Sequence, residues 1–275
     1  MDRKQRLNAL GPETLADALL ELGMRIKAAD ELIERMIARP QENIKRYKAL
    51  LEGLRRRKRI VPWNKAQEFF CELESLLEDI KYGVTDPQTG IELVADFYQE
   101  DNTIFELCED SDGSVGDVFQ FAAKELFVDY AMSFSDKVWV SDVIFDLVWE
   151  DDYGVRRELV DCAAEYLPVA AIRRLIERFQ GEVRKDTDVT MNHHWLSLIE
   201  SLARQIKDAP LYKETRLACQ DSLSVSDCVD IAQVYLEGGH LETALKWLKK
   251  IPAEETFQKH ERDKMLLEIY SKTGN

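Results

Sequence analysis

The sequence predicts an all-α fold, laid out as a right-handed α-solenoid-like array of antiparallel helix pairs. Three observations carry that expectation. Only 12 Gly and 7 Pro interrupt 275 residues that are 45% apolar and 32% charged, so helix breakers are scarce. Apolar residues recur at three-four spacing along nearly every segment. Short polar turns separate those segments, and no low-complexity linker intervenes.

The elements follow in order. In "GPETLADALLELG" Pro12 and Glu13 suit a first helical turn, Leu15, Leu19 and Leu22 share a face, and Gly23 is expected to close the helix. "AADELIERMIARP" is stopped by Pro40, because proline disfavours helix in the residue before it. "QENIKRYKALLEGLRRRKRI" is amphipathic and ends in a basic run before Pro62. "NKAQEFFCELESLLEDIKYG" places Phe69, Leu73, Leu76 and Ile80 on one face. A turn, "GVTDPQTG", leads to "IELVADFYQEDNTIFELCED", and "SDGSVGDVFQFAAKELFVDYAMS" starts a further face with Val115, Val118, Phe119 and Ala122. "DKVWVSDVIFDLVWEDD" contains a β-branched, aromatic run but is read as helix, since an isolated strand has no partner for its backbone hydrogen bonds. "VRRELVDCAAEYL" and "PVAAIRRLIERFQGE" are helices divided at Pro168. The polar "EVRKDTD" marks an expected subdomain boundary, separating 1–183 from 184–275. "VTMNHHWLSLIESLARQIKD" and "PLYKETRLACQDS" follow as helices.

The last segment carries a testable spacing. Tyr235, Gly239, Leu241, Ala244 and Leu248 form Y-x3-G-x-L-x2-A-x3-L, which resembles the tetratricopeptide hairpin. Ala244 lets two helix backbones approach, and Gly239 accepts a left-handed turn. Tyr270 and Gly274 repeat the Tyr235–Gly239 pair 35 residues on, so the expectation is one complete and one half repeat. Earlier pairs lack this pattern and are expected to be HEAT-like or irregular. The half repeat leaves Leu266, Leu267 and Tyr270 without a partner helix in sequence, which suggests a docking face or a terminal helix that relatives carry and this chain lacks.

Charge narrows the function classes. The net charge is −15, which argues against general polyanion binding. Residues 1–60 nevertheless hold 15 Lys/Arg against 9 Asp/Glu, and the remainder 22 against 43. Arg55, Arg56, Arg57, Lys58 and Arg59 form the dense basic run, a candidate phosphate-binding or partner-binding surface; as helix C-terminal cations they also complement the helix dipole. Cys71, Cys108, Cys162, Cys219 and Cys228 are scattered, without a C-x-x-C pair, and read as reduced, buried thiols. The opening residues lack the apolar core of a secretory signal, and a cytoplasmic location with no membrane contact is expected.

Catalytic chemistry finds no support in motifs. "CEDSDGSVGD" imitates a calcium loop, but with Gly113 as its sixth position Cys108 and Phe119 occupy positions one and twelve. A capped helix start explains it better, with Ser114 as N-cap and Asp117 three residues on. His193 and His194 are adjacent and point apart on a helix, and no H-E-x-x-H, P-loop or G-x-S-x-G occurs. The five tryptophans, Trp63, Trp139, Trp149, Trp195 and Trp247, are expected as core or groove aromatics.

Three stretches, "RRRKRIVPWNKAQEFFCELESLLEDI", "CEDSDGSVGDVFQFAAKEL" and "VYLEGGHLETALKWLKKIPAEE", resemble a bacterial all-helical domain family of unknown function. Asp110, Asp112, Gly113, Gly116 and Asp117 carry its middle motif. Similar helical regions also follow SWIM-type zinc fingers, but this chain lacks the C-x-C set, so the resemblance implies no zinc. It implies no activity or cofactor either. The expectation is a non-enzymatic scaffold that binds a protein or peptide, or a second copy of itself, through a helical groove or the C-terminal apolar face. A nucleic-acid-associated regulator using residues 45–59, and an unrecognised hydrolase or metal enzyme, are the alternatives.

Overall fold

The computed structural model describes residues 2–108, 110–111, 113–185, 189–219 and 222–273. It is all-α: among the described residues there is no strand, and a single parallel bridge joins Val61 to Cys108. No described helix is long and apolar enough to cross a membrane. Two compact units divide at Ser133/Phe134.

The first unit contains α1 (Arg3–Asn8), α2 (Pro12–Arg25), α3 (Lys27–Ile37), α4 (Pro40–Arg56), α5 (Ala66–Gly83), α6 (Pro87–Tyr98), α7 (Asp101–Leu107), α8 (Ser114–Asp117) and α9 (Lys124–Ser133). Its core is the buried stripe of α5, formed by Phe69, Leu73, Leu76, Leu77 and Ile80, against Tyr47, Leu51 and Leu54 of α4. Burying each such side chain contributes about 1.5–3 kcal/mol. Between α8 and α9, Val118–Ala123 is π-helical, a turn wider than the α-helix around it. The tyrosines satisfy stray carbonyls: Tyr47 donates to Leu93 at 2.7 Å, Tyr98 to Phe119 at 2.9 Å and Tyr130 to Val84 at 3.0 Å.

At the N-terminal side the sequence reading and the structure part company. Helix α2 runs on through Gly23 to Arg25 and buries no residue. Its Leu19 and Leu22 are exposed, because α2 packs chiefly on α3. Helix α3 is attached through Ile33 and through Arg35, which pairs with the fully buried Asp79 at 3.0 Å and with Glu78 at 2.7 Å. Arg46 of α4 reaches the same Asp79 oxygen at 3.2 Å, so one carboxylate ties α3 and α4 to α5.

The second unit contains α10 (Lys137–Trp149), α11 (Arg157–Asp161), α12 (Val169–Lys185), α13 (Val189–Gln205), α14 (Ala209–Cys219), α15 (Val225–Glu237), α16 (Leu241–Leu248) and α17 (Lys259–Thr273). The strand-like run "VWVSDVIF" is helical, as the lack of a pairing partner predicts. Helix α12 continues to Lys185, past the expected boundary at 183/184, and residues 186–188 of the polar segment lie outside the described residues. From α12 to α16 each helix packs on the next in sequence, and α17 packs on both α15 and α16.

The α15–α16 turn behaves as its glycine demands. Gly239 has φ +81°, His240 N–H donates to Tyr235 at 2.8 Å and Gly239 N–H to Leu236 at 3.0 Å, a Schellman closure that frees the chain to reverse. Tyr235, Ala244 and Leu248 are buried. Gly274 lies outside the described residues. The C-terminal helix does not present the whole of its expected apolar face. Met265 and Ile269 are buried and Leu266 packs against the α15–α16 core, whereas Leu267 and Tyr270 remain exposed.

Candidate interaction surface

Two of the motif-bearing stretches meet in the first unit. After α4 the chain leaves the helix, bends at Arg59, and passes through Pro62 into a short 3-10 turn, Trp63–Lys65. Val61 N–H donates to the Leu107 carbonyl at 2.6 Å, which fastens this strap to the residue preceding Cys108. Pro62 has no N–H to offer and keeps Val61 extended. The strap's outer side chains are left in solvent: Trp63 is 81% exposed and Ile60 71%.

Neutralisation of the basic run is uneven. Arg55 pairs with the buried Glu100 at 2.7 Å, Arg56 with Glu52 at 2.8 Å, and Arg57 with Glu72 at 3.1 Å while lying 5.4 Å from the Phe69 ring centre. Lys58 and Arg59 are exposed, without an ion pair among the described residues. The free positive charge therefore sits beside Ile60 and Trp63 rather than along α4.

The middle motif is a helix start, built differently from the sequence expectation. Gly113, at φ +78°, occupies the N-cap position, and Ser114 is already the first helical residue. The capping acceptor is Asp110: its Oδ1 accepts from Val115 N–H and its Oδ2 from Gly116 N–H, both at 2.8 Å. A carboxylate there satisfies two otherwise unpaired donors and complements the helix dipole. A Cβ on Gly116 would meet Asp110 Oδ2 at 3.4 Å, an ordinary van der Waals contact, so the cap does not require glycine there. Asp117 donates its N–H to the Gly113 carbonyl at 2.9 Å, and Asp112 lies outside the described residues. With both Asp110 oxygens committed to backbone, this turn is a structural joint.

Other candidates resolve plainly. Among the described residues no group of three or more His, Cys, Asp or Glu side chains could hold a metal ion. His194 packs edge-on against Trp195 and burial holds its pKa below the ordinary value, while His193 faces solvent. Of the cysteines only Cys108 is buried; Cys71 is exposed and the other three are partly buried, with burial raising the Cys219 and Cys228 thiols. The tryptophans divide likewise: Trp195 and Trp247 are core, Trp139 is partly buried, and Trp63 and Trp149 are exposed.

The polar joints and one aromatic assembly leave no mark in the local sequence. Arg216 gathers Glu200 at 2.6 Å, Asp227 at 3.1 Å, Asp230 at 3.6 Å and the Tyr212 hydroxyl at 2.9 Å. Phe145, Trp149, Phe179 and Trp195 stack in the second unit, with ring centres 5.3–5.9 Å apart for the pairs Trp149–Trp195, Phe145–Phe179, Phe179–Trp195 and Phe145–Trp149. The members come from α10, α12 and α13, so no local spacing announces them.

An all-helical chain with capped joints and exposed aromatic positions is, by class, a helical domain protein. It belongs to a family of unknown function, DUF6880, whose profile matches residues 3–222. The third quoted stretch, Val234–Glu255, lies beyond that span. No curated protein and no solved structure matches the chain.

Proposed function

We propose that the chain is a non-enzymatic interaction protein and that the strap Lys58–Trp63 docks an acidic polypeptide carrying apolar side chains. The observation that carries this reading is the 81% exposure of Trp63 on a backbone held in place at Val61. Tryptophan and arginine dominate binding energy at protein interfaces, and here a tryptophan, an isoleucine and two unpaired cations share one short segment. Charge complementarity selects an acidic partner. The second unit is read as α-solenoid-like, and tetratricopeptide-like from Val225 onward; the helix-by-helix packing from α12 to α16 and the Gly239–Ala244 hairpin support that reading. Leu267 and Tyr270 are its accessory docking residues.

A second reading, single-stranded nucleic acid, is favoured by the same indole beside Lys58 and Arg59, since bases stack on exposed aromatics. The net charge of −15 ranks it below the first. Placing a photo-cross-linking phenylalanine derivative at the exposed Ile60, beside an intact Trp63, in the native host separates the two. A protease-sensitive, nuclease-resistant adduct is expected. A nuclease-sensitive adduct establishes the second reading, and no adduct at this position overturns both. Because Trp63 is exposed, Trp63→Ala is expected to leave the thermal midpoint unchanged while abolishing the adduct formed by a cross-linker placed at Ile60.

A further inference from the structure

The aromatic stack of the second unit ends in an open pocket of about 390 Å³, lined by Phe145, Asp146, Trp149, Glu150, Glu182 and Lys185. One face of the Trp149 indole packs on Trp195, with ring centres 5.3 Å apart and planes 25° from parallel, yet the side chain is 50% exposed. The rings it packs on are covered: Trp195 is 1% exposed and Phe145 7%.

One ring of the wall, Phe145, already carries a guanidinium. Arg178 lies with Cζ 3.7 Å from the Phe145 ring centre, and its nitrogens meet Asp142 at 2.6 Å and Asp146 at 3.3 Å. A planar cation stacked on a ring and gripped at its edge by carboxylates is thus a stable arrangement on this surface. One helical turn away, Trp149 offers a second ring in a pocket whose lining adds Glu150 and Glu182 to Asp146, the last already bound to Arg178. Lys185 is paired with Glu182 at 2.8 Å on the rim, while Glu150 is exposed beside the indole.

We propose that this pocket binds an arginine side chain presented by a partner polypeptide, its guanidinium stacked on Trp149 and paired with Glu150 and with Glu182, where it takes the place of the Lys185 ammonium. The ligand class follows from the geometry. A trimethylammonium group is recognised by a cage of several rings, and here a single ring is open; a flat surface with acids at its edge suits a flat cation. The region from residue 61 onward carries 43 acidic against 22 basic side chains, which favours approach of a basic segment. The proposal rests on second-unit residues alone and does not depend on the strap.

The test uses the full chain with ¹⁵N-labelled indoles and a capped five-residue peptide, glycines flanking one arginine, against the same peptide with citrulline, lysine or trimethyllysine. The Trp149 resonance, assigned by Trp149→Phe, is expected to shift saturably with the arginine peptide. Citrulline is expected to bind at least about tenfold more weakly, as loss of the charge implies. Trp149→Ala should abolish the accompanying shift of the stacked Trp195 indole, and Glu150→Gln should weaken binding about threefold without unfolding the chain, since its side chain is exposed. No shift at millimolar peptide, equal binding of citrulline, or preference for trimethyllysine overturns the proposal.

Discussion

At the residue scale, the joints that organise this chain are polar groups, some fully satisfied, others, such as Asp79 and Arg216, each keeping one buried atom without a partner. Asp110 is the clearest of the first kind. Asp110→Ala removes the acceptor for two backbone donors and is expected to cost about 1–2 kcal/mol in denaturant unfolding, whereas Asp117→Ala, exposed and without a capping role, should cost less than about 0.5 kcal/mol. The motif's aspartates and glycines were visible in the sequence, but its register was not. Ser114 is the better N-cap by residue preference; the φ of Gly113 and the reach of Asp110 from three residues upstream displaced it. Arg216 presents the opposite problem. Nothing in its surroundings in sequence marks it, because its partners arrive from α13 and α15. Arg216→Met leaves Glu200 and Asp227 without their cation in a mostly buried setting, and a loss of about 3 kcal/mol or more is expected in equilibrium unfolding.

At the element scale, periodicity served well wherever a helix has its own buried stripe. Helices α4, α5, α12 and α16 lie close to where three-four spacing places them, and α10 is helical despite its β-branched run. Helix α2 shows the limit. Its Leu15, Leu19 and Leu22 share a face as predicted, but periodicity says only that a stripe exists, not that anything covers it. Close approach is equally invisible in sequence. A Cβ on Gly90 of α6 would sit 2.5 Å from the Tyr130 ring of α9, whose hydroxyl is fixed by the Ile80 and Val84 carbonyls. The ring cannot swing away without surrendering those bonds. Gly90→Ala is therefore expected to destabilise the first unit by about 1–3 kcal/mol, although alanine is the better helix former; a thermal midpoint equal to the parent's would contradict this.

At the scale of the whole molecule, burial governs the response to pH. It raises the pKa of Glu74, Asp79 and Asp96 in the first unit and of Glu200 in the second. A carboxyl whose folded pKa is raised binds extra protons in the folded state, so its penalty is full above that pKa and disappears as pH falls towards its unfolded value near 4. His194, lowered by burial, works the other way below about pH 6.5. So does Asp86, lowered by the bonds it accepts from the Thr89 hydroxyl and N–H, as pH falls through its folded pKa. Relief of the −15 net charge adds to the carboxyl contribution. Thermal melts followed by circular dichroism should show a midpoint at about pH 5 no lower than at about pH 7.5; a steep loss over that interval would show that His194 outweighs the four acids. Composition and charge, properties of the chain as a sum, were read correctly from sequence. Trp63 and Trp149 were not, because exposure depends on which elements fail to cover a residue. A signal existed in both places: Trp63 follows Pro62, and Trp149 precedes three consecutive acids.

The π-helical turn says where this chain is one residue longer than its core needs. Val115, Phe119, Ala123, Phe127 and Ala131 are all buried and step by four, which on an unbroken α-helix would carry the stripe about 160° around the axis. The wide turn absorbs the surplus, and the side chain it pushes outward is Phe121, 56% exposed. Deleting Phe121 should therefore be a rare tolerated deletion inside a helix: the turn tightens, both flanking faces keep their partners, and the thermal midpoint is expected to hold within a few degrees. Deleting Glu74, in the middle of α5, has no such slack and should abolish folding.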